Sequence, residues 1–182
     1  MRHFISYFND SVKKHWDLPA VTNFGKETYS YAQMVEGIEK YHILFEEAGI
    51  EKGDKVAIYA RNSAEWCIAY YATLTYDAVT VPFLPDFLPA AIAELGSFSE
   101  CKMLIVDDIA YKGLNASPEL YDVLETTKGF AGVVDIKDMS VLRDTTGKLA
   151  KVRKNIDSLL SSRHPNGLTP DSFNYYKEER DL

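Results

Sequence analysis

Three short apolar, β-branched runs recur along this chain, KVAIYA at 55–60, AVTVPFL at 78–84 and KMLIVDD at 102–108, each separated from the next by a stretch of helical periodicity. Strands that pair in parallel need a crossover of a dozen or more residues, and a helix is its usual form. The order helix, strand, helix, strand therefore predicts an α/β fold, a mostly parallel sheet with crossover helices. A fourth strand is expected in GFAGVVDI, Gly129 to Ile136. At 182 residues the chain can bury roughly 70% of its unfolded surface and needs no disulfide or metal to hold a core.

The helices declare themselves by caps and spacing. Phe4, Ile5, Phe8 and Val12 form an apolar stripe on a short first helix. Asp17 to Asn23 is a turn and an extended piece, and Gly25-Lys26 is a hairpin-like break before ETYS. Ser30 and Gln33 have capping-box spacing ahead of an apolar repeat through Tyr31, Met34, Val35, Ile38, Tyr41, Phe45 and Ala48, and Gly49 ends that helix. Asn62 with Glu65 repeats the capping logic for a helix over about Ser63 to Tyr76, with Trp66, Ala69, Tyr70, Thr73 and Leu74 on its core side. Pro82 falls near the end of its strand, and Pro89 begins a helix through Phe98. Ser117 to Thr127 is expected as a helix, Arg143 to Gly147 as a turn, and LAKVRKNIDSLLSS as one amphipathic helix. The α/β core is expected over about 28–140, with 163–182 a linker-like tail that ends as a connection would.

Composition excludes several activities. Twenty Lys and Arg against 27 Asp and Glu give a net charge of −7, which argues against nucleic-acid or anionic-membrane binding as the main activity. The first residues lack the apolar core and cleavage site of a signal peptide, and no apolar run approaches the ~18 residues of a membrane span, so a cytoplasmic location is expected. Cys67 and Cys101 sit in apolar stretches and are expected to be buried thiols. His3, His15, His42 and His164 form no metal-ligand spacing.

Three strings invite a functional reading. Thr145-Thr146-Gly147-Lys148 precedes a helix, but a phosphate loop would need Gly and a hydroxyl where Leu142 and Leu149 stand, so a turn is expected. Gly129 and Gly132 precede a strand and are expected to form a bend. Asp107 and Asp108 close the third strand, Asp135 and Asp138 the fourth, at the carboxyl edge where ligands of parallel sheets gather. Their spacing leaves open a stand-alone interaction or receiver-like module around Mg²⁺, against the plainer role of strand terminators and helix caps. Lys148, Lys151, Arg153 and Lys154 share one helix with little aromatic interleaving, the pattern of a solvated face.

The run TYSYAQM, AGIEKGDKVAIYARNSAEW, IAYYATLTYDAVTVPF and SECKMLIVDD, between Thr28 and Asp108, resembles the amino-terminal region of the AMP-forming acyl-CoA synthetases of the adenylate-forming superfamily. RNSAEW is most similar to the long-chain fatty acid ligases, while Asp77 stands where that family usually has a small residue. The resemblance implies a parent enzyme that uses ATP, Mg²⁺ and coenzyme A to activate a fatty acid as an acyl-adenylate and pass it to a thiol. It also implies that this chain is the amino-terminal part. The family's T-S-G-T-T-G-x-P-K-G loop is not in the sequence, so no catalytic, cofactor-binding or metal residue is assigned, and the fragment alone is expected to bind none of these cofactors. Acyl chain length, final acceptor and oligomeric state stay open.

Overall fold

The computed structural model describes residues 3–174. After helix α1 (Phe4–Lys14), strands β1 (Pro19–Thr22) and β2 (Thr28–Ser30) form an antiparallel hairpin. A five-stranded sheet then builds from β3 (Lys55–Tyr59), β4 (Val79–Phe83), β5 (Cys101–Val106), β6 (Gly132–Asp135) and β7 (Val141–Asp144), in the order β4-β3-β5-β6-β7. The first four are parallel and β7 is antiparallel, so the fold is α/β with a mostly parallel sheet.

The two-residue period of the strands divides the core between the faces. Val56, Ile58, Met103, Ile105 and Val134 point to one face, under α1, α2 (Tyr31–Glu47), α3 (Ala64–Thr75) and two later helices. Ala57, Tyr59, Leu104, Val106 and Val133 point to the other, under α4 (Pro89–Phe98), α5 (Asp108–Asn115) and α6 (Glu119–Leu124). The expected stripe on α2 is buried from Met34 to Phe45, and its capping box is formed, Ser30 Oγ accepting from Gln33 N and Gln33 Oε1 from Ser30 N.

Several expectations need correction. Ser63, not Asn62, caps α3: its hydroxyl accepts from Trp66 N, and Asn23 Oδ1 accepts from Ala64 N, leaving Glu65 free to turn elsewhere. Trp66 is only half-buried, stacked on Tyr70 with centroids 5.1 Å apart. Helix α5 was not expected; Asp107 both ends β5 and caps α5 by accepting from Ala110 N, so one residue closes two elements. The expected helix over 117–127 contracts to α6. Residues Val141–Asp144 form an edge strand where part of a turn was expected. Gly132, read as a bend, permits that pairing: its φ is 150° and a Cβ there would lie 2.0 Å from the Arg143 carbonyl oxygen. The single helix expected after Gly147 is two, α7 (Leu149–Lys154) and α8 (Ile156–Arg163), parted at Asn155, whose amide donates to Lys151 O and competes with the helical ladder.

The stretch expected as a linker from 163 is anchored as far as it is described. His164 meets Glu39, Arg163 pairs with Glu46, and Phe173 is fully buried edge-on to Phe8. The remainder of that tail, 175–182, lies outside the described residues.

Candidate functional site at the carboxyl edge of the sheet

From β3 the chain runs outward to β4, then crosses back to β5 on the far side of β3, so strand order reverses between β3 and β5. A crevice outside the carboxyl ends of the strands at such a reversal is where open α/β sheets bind ligands. A cleft of about 650 Å³ opens there, lined by the hairpin tip (Asn23, Phe24), Arg61 to Ser63, Glu65, Asp107, Asp108 and Asp135.

Arg61, the second residue after β3, spans the reversal. Its Nε donates to Asp107 Oδ2 at 2.7 Å, its backbone N–H to the same oxygen at 3.0 Å, and its Nη2 to Asp108 Oδ1 at 2.7 Å. Burial would raise the Asp107 pKa, but the amides of Ala110 and Arg61 and the guanidinium hold it below the usual carboxylate range. The pair bridges the two strand ends, and with Ala110 N it gives Asp107 three donors.

Glu65 is the second anchor. It is buried at the start of α3 and accepts from Asn23 Nδ2 at 3.0 Å and Tyr29 Oη at 2.7 Å, tying the hairpin to the sheet. Burial opposes ionisation of Glu65, yet these donors lower its pKa; the Tyr29 hydroxyl, by burial and then by the facing carboxylate, is pushed up to about 12. A second cleft of about 320 Å³ shares Glu65, Ile136 and Lys137 with the first.

The acidic residues singled out in the sequence are only partly assembled. Asp107, Asp108 and Asp135 line the first cleft and Asp138 the second. Asp135 accepts from Lys137 N at 2.8 Å, Asp138 accepts from Ser140, and Asp107 and Asp108 are engaged by Arg61. Among the described residues no three His, Cys, Asp or Glu side chains converge in a metal-binding arrangement. The turn at 145–148 offers no free amides: Thr145 N donates to Ala131 O, Thr146 N and Gly147 N to the Asp144 carboxylate, and Lys148 N to Thr146 Oγ1. The strand-end carboxylates thus do not form a Mg²⁺ site among the described residues, and the 145–148 turn is not a phosphate loop.

Arg61, Asn23 and Tyr29 escaped sequence reasoning. Arg61 carried a usable signal, as the cation just past a central strand at the functional edge; Asn23 and Tyr29 act at separations of 42 and 36 residues from Glu65 and carried none.

The AMP-binding enzyme family model matches residues 8–172. The chain belongs to the AMP-binding enzyme family. As a member it is 29% identical to an acetyl-coenzyme A synthetase of Vibrio cholerae over 124 residues, 68% of this chain and 19% of that protein. It is 28% identical over 98 residues to surfactin synthase subunit 2 of Bacillus subtilis, 54% of this chain and 3% of that protein. Among solved structures it resembles a fatty acyl CoA synthetase of Mycobacterium tuberculosis, with a TM-score of 0.63 and 22% identity over 82% of this chain and 28% of that one. A coronafacic acid ligase of Pectobacterium brasiliense gives 0.60 and 23% over 71% and 25%. These structural likenesses concern the fold, and the chain spans less than a third of each of these four relatives. Their names do not single out long-chain fatty acids, and neither the family nor the geometry favours the receiver-like module. No helix among the described residues is long and apolar enough to cross a membrane.

Proposed function

We propose that this chain is the amino-terminal part of a cytoplasmic, ATP-dependent acid–thiol ligase of long-chain fatty acid CoA type. In the parent reaction the carboxylate attacks the α-phosphorus of ATP to give acyl-adenylate and pyrophosphate. The coenzyme A thiol then displaces AMP to give the thioester. Membership of the AMP-binding family over residues 8–172 carries the proposal, and RNSAEW supports the fatty acid class.

The role of the present residues is structural. Gly53, at φ 84°, donates its N–H to Asp77 O, and Asp54 accepts from Glu51 N and Lys102 Nζ, so the GD turn fixes the entry into β3. Glu65 fixes the hairpin, and Arg61 with Asp107 holds the strand ends together at the edge where the remaining chain would bring its phosphate loop. Carboxylate-dependent exchange of labelled pyrophosphate into ATP by the product of the uninterrupted reading frame, measured across acetate, octanoate and palmitate, tests the proposal. Palmitate is expected to lead. Exchange led by acetate would overturn the long-chain part, and no exchange with any acid would overturn the ligase part.

A further inference from the structure

The outer flank of α4 is an apolar face without a partner among the described residues. Leu88 (74% exposed), Leu95 and Phe98 (87%) repeat at helical spacing, and Val79, which begins β4, and Leu84, just after it, are exposed as well. Other sides of α4 pack on α5, α6 and β5. Scattered exposed apolar residues are ordinary, but a stripe continuous with a sheet edge marks an interaction surface.

Charge narrows the occupant. From Asn62 to Cys101 the chain has no Lys, Arg or His and five acids; Glu65 is tied to the hairpin, Asp77 pairs with Lys52 and Glu100 with Lys55, and Asp86 and Glu94 are exposed ahead of and on α4. An apolar stripe flanked by Asp86 and Glu94 is complementary to an apolar segment carrying Lys and Arg. A second copy would bring Asp86 and Glu94 against their own counterparts on a chain of net charge −7. The last eight residues, YYKEERDL, hold three acids against two bases and supply no basic rim. Backbone geometry narrows the packing mode as well. Val79 N donates inward to Asp54 O, so by alternation the outward positions of β4 are Thr80 and Pro82, and Pro82 has no N–H to give. An added strand would find a broken ladder, whereas a helix packing by its side chains meets no such defect.

We propose that this face seats a basic, amphipathic segment, most simply a helix, from the polypeptide that follows residue 182. The inference rests on the reading of the chain as the front of a longer ligase, and the length of its relatives leaves ample chain to supply the segment. The test places a single reactive thiol at Phe98→Cys, and separately at Leu84→Cys, in a Cys67→Ala background. Maleimide labelling rates are then compared between residues 1–182 and the product of the uninterrupted reading frame. The longer protein is expected to label at least about tenfold more slowly at both positions, since access then requires local opening. Asp86→Lys with Glu94→Lys is expected to restore most of the rate. Equal rates in the two proteins overturn the inference, whether or not the longer one exchanges pyrophosphate. Protection without exchange activity sustains this face and sinks the ligase reading instead. Protection that rises with concentration in residues 1–182 would mean a second copy, and slowing untouched by the charge reversals would mean an occupant of other chemistry; either overturns it. A frame that ends at Leu182 overturns both.

Discussion

The two faces of the sheet are built to different standards of closure. On the face of α2 and α3, five helices and the strap ending at Phe173 enclose a core containing Tyr41, Phe45, Ile58 and Met103, and chain beginning and described chain end meet at Phe8 and Phe173. The face of α4, α5 and α6 buries a smaller set around Ile92, Leu104 and Leu114 and leaves one flank of α4 bare. The difference lies in the size of the enclosed core, since α1 and the hairpin also leave Phe4, Tyr7 and Phe24 exposed while the core beneath them is the larger.

Core truncations should separate the faces most strongly. Phe45→Ala removes a fully buried ring from the closed face and should cost about 3–5 kcal/mol in chemical denaturation, whereas Leu114→Ala beneath shorter helices should cost about 2–3 kcal/mol. Equal costs, or the reverse order, would remove the contrast.

Acid should act on the closed face. His42 lies between α2 and α3, where its Nε2 meets Ala72 O and Thr75 Oγ1, and burial pushes its pKa down from 6.5 to about 4. The unfolded chain therefore takes up that proton first, so stability is full above pH 6.5 and falls as pH drops toward 4. The loss attributable to His42 is roughly 3 kcal/mol by pH 4. Glu39, raised by burial, works in the opposite direction, so the diagnostic quantity is the difference between wild type and His42→Gln, whose profile should be flatter over this window. No histidine falls in α4, α5 or α6, and hydrogen exchange there should follow this acid loss only through global unfolding.

Gly132→Ala should cost about 1–3 kcal/mol and expose the β7 amides to exchange, because the new methyl meets the Arg143 carbonyl. Trp66→Ala should cost about 1–2 kcal/mol by denaturation midpoint, below the 3–5 of a fully buried aromatic, since the residue is only partly buried at the margin of the core and stacked on Tyr70. The smallest effect has the opposite sign. Asp77 sits at φ 64°, a left-handed position where glycine is free of strain, so Asp77→Gly should stabilise by about 0.5–1 kcal/mol in the same measurement.

That last residue also shows what the sequence could convey. Asp77 stood out as a departure from the family pattern, and its positive φ supplies the reason a small residue suits the site. The parallel strands, the capping box of Ser30 and the stripe of α2 were legible because they are local patterns of period and cap. The second half was less so. Helix α5 was hidden because Asp107 serves strand and helix at once, and β7 because its pairing depends on a contact between Gly132 and Arg143 eleven residues apart. The carboxyl-edge site was half legible: Asp107 and Asp108 were visible as strand ends, but their neutralisation by Arg61, 46 residues away, is a product of the topology alone.

The central claim is that these residues form the scaffold of a carboxylate-activating ligase and do not perform its chemistry. Pyrophosphate exchange measured side by side on residues 1–182 and on the product of the uninterrupted reading frame tests it most directly. The account predicts exchange that depends on added fatty acid in the longer protein and none above background in residues 1–182. Acid-dependent exchange by residues 1–182 alone, persisting through repurification, would contradict it.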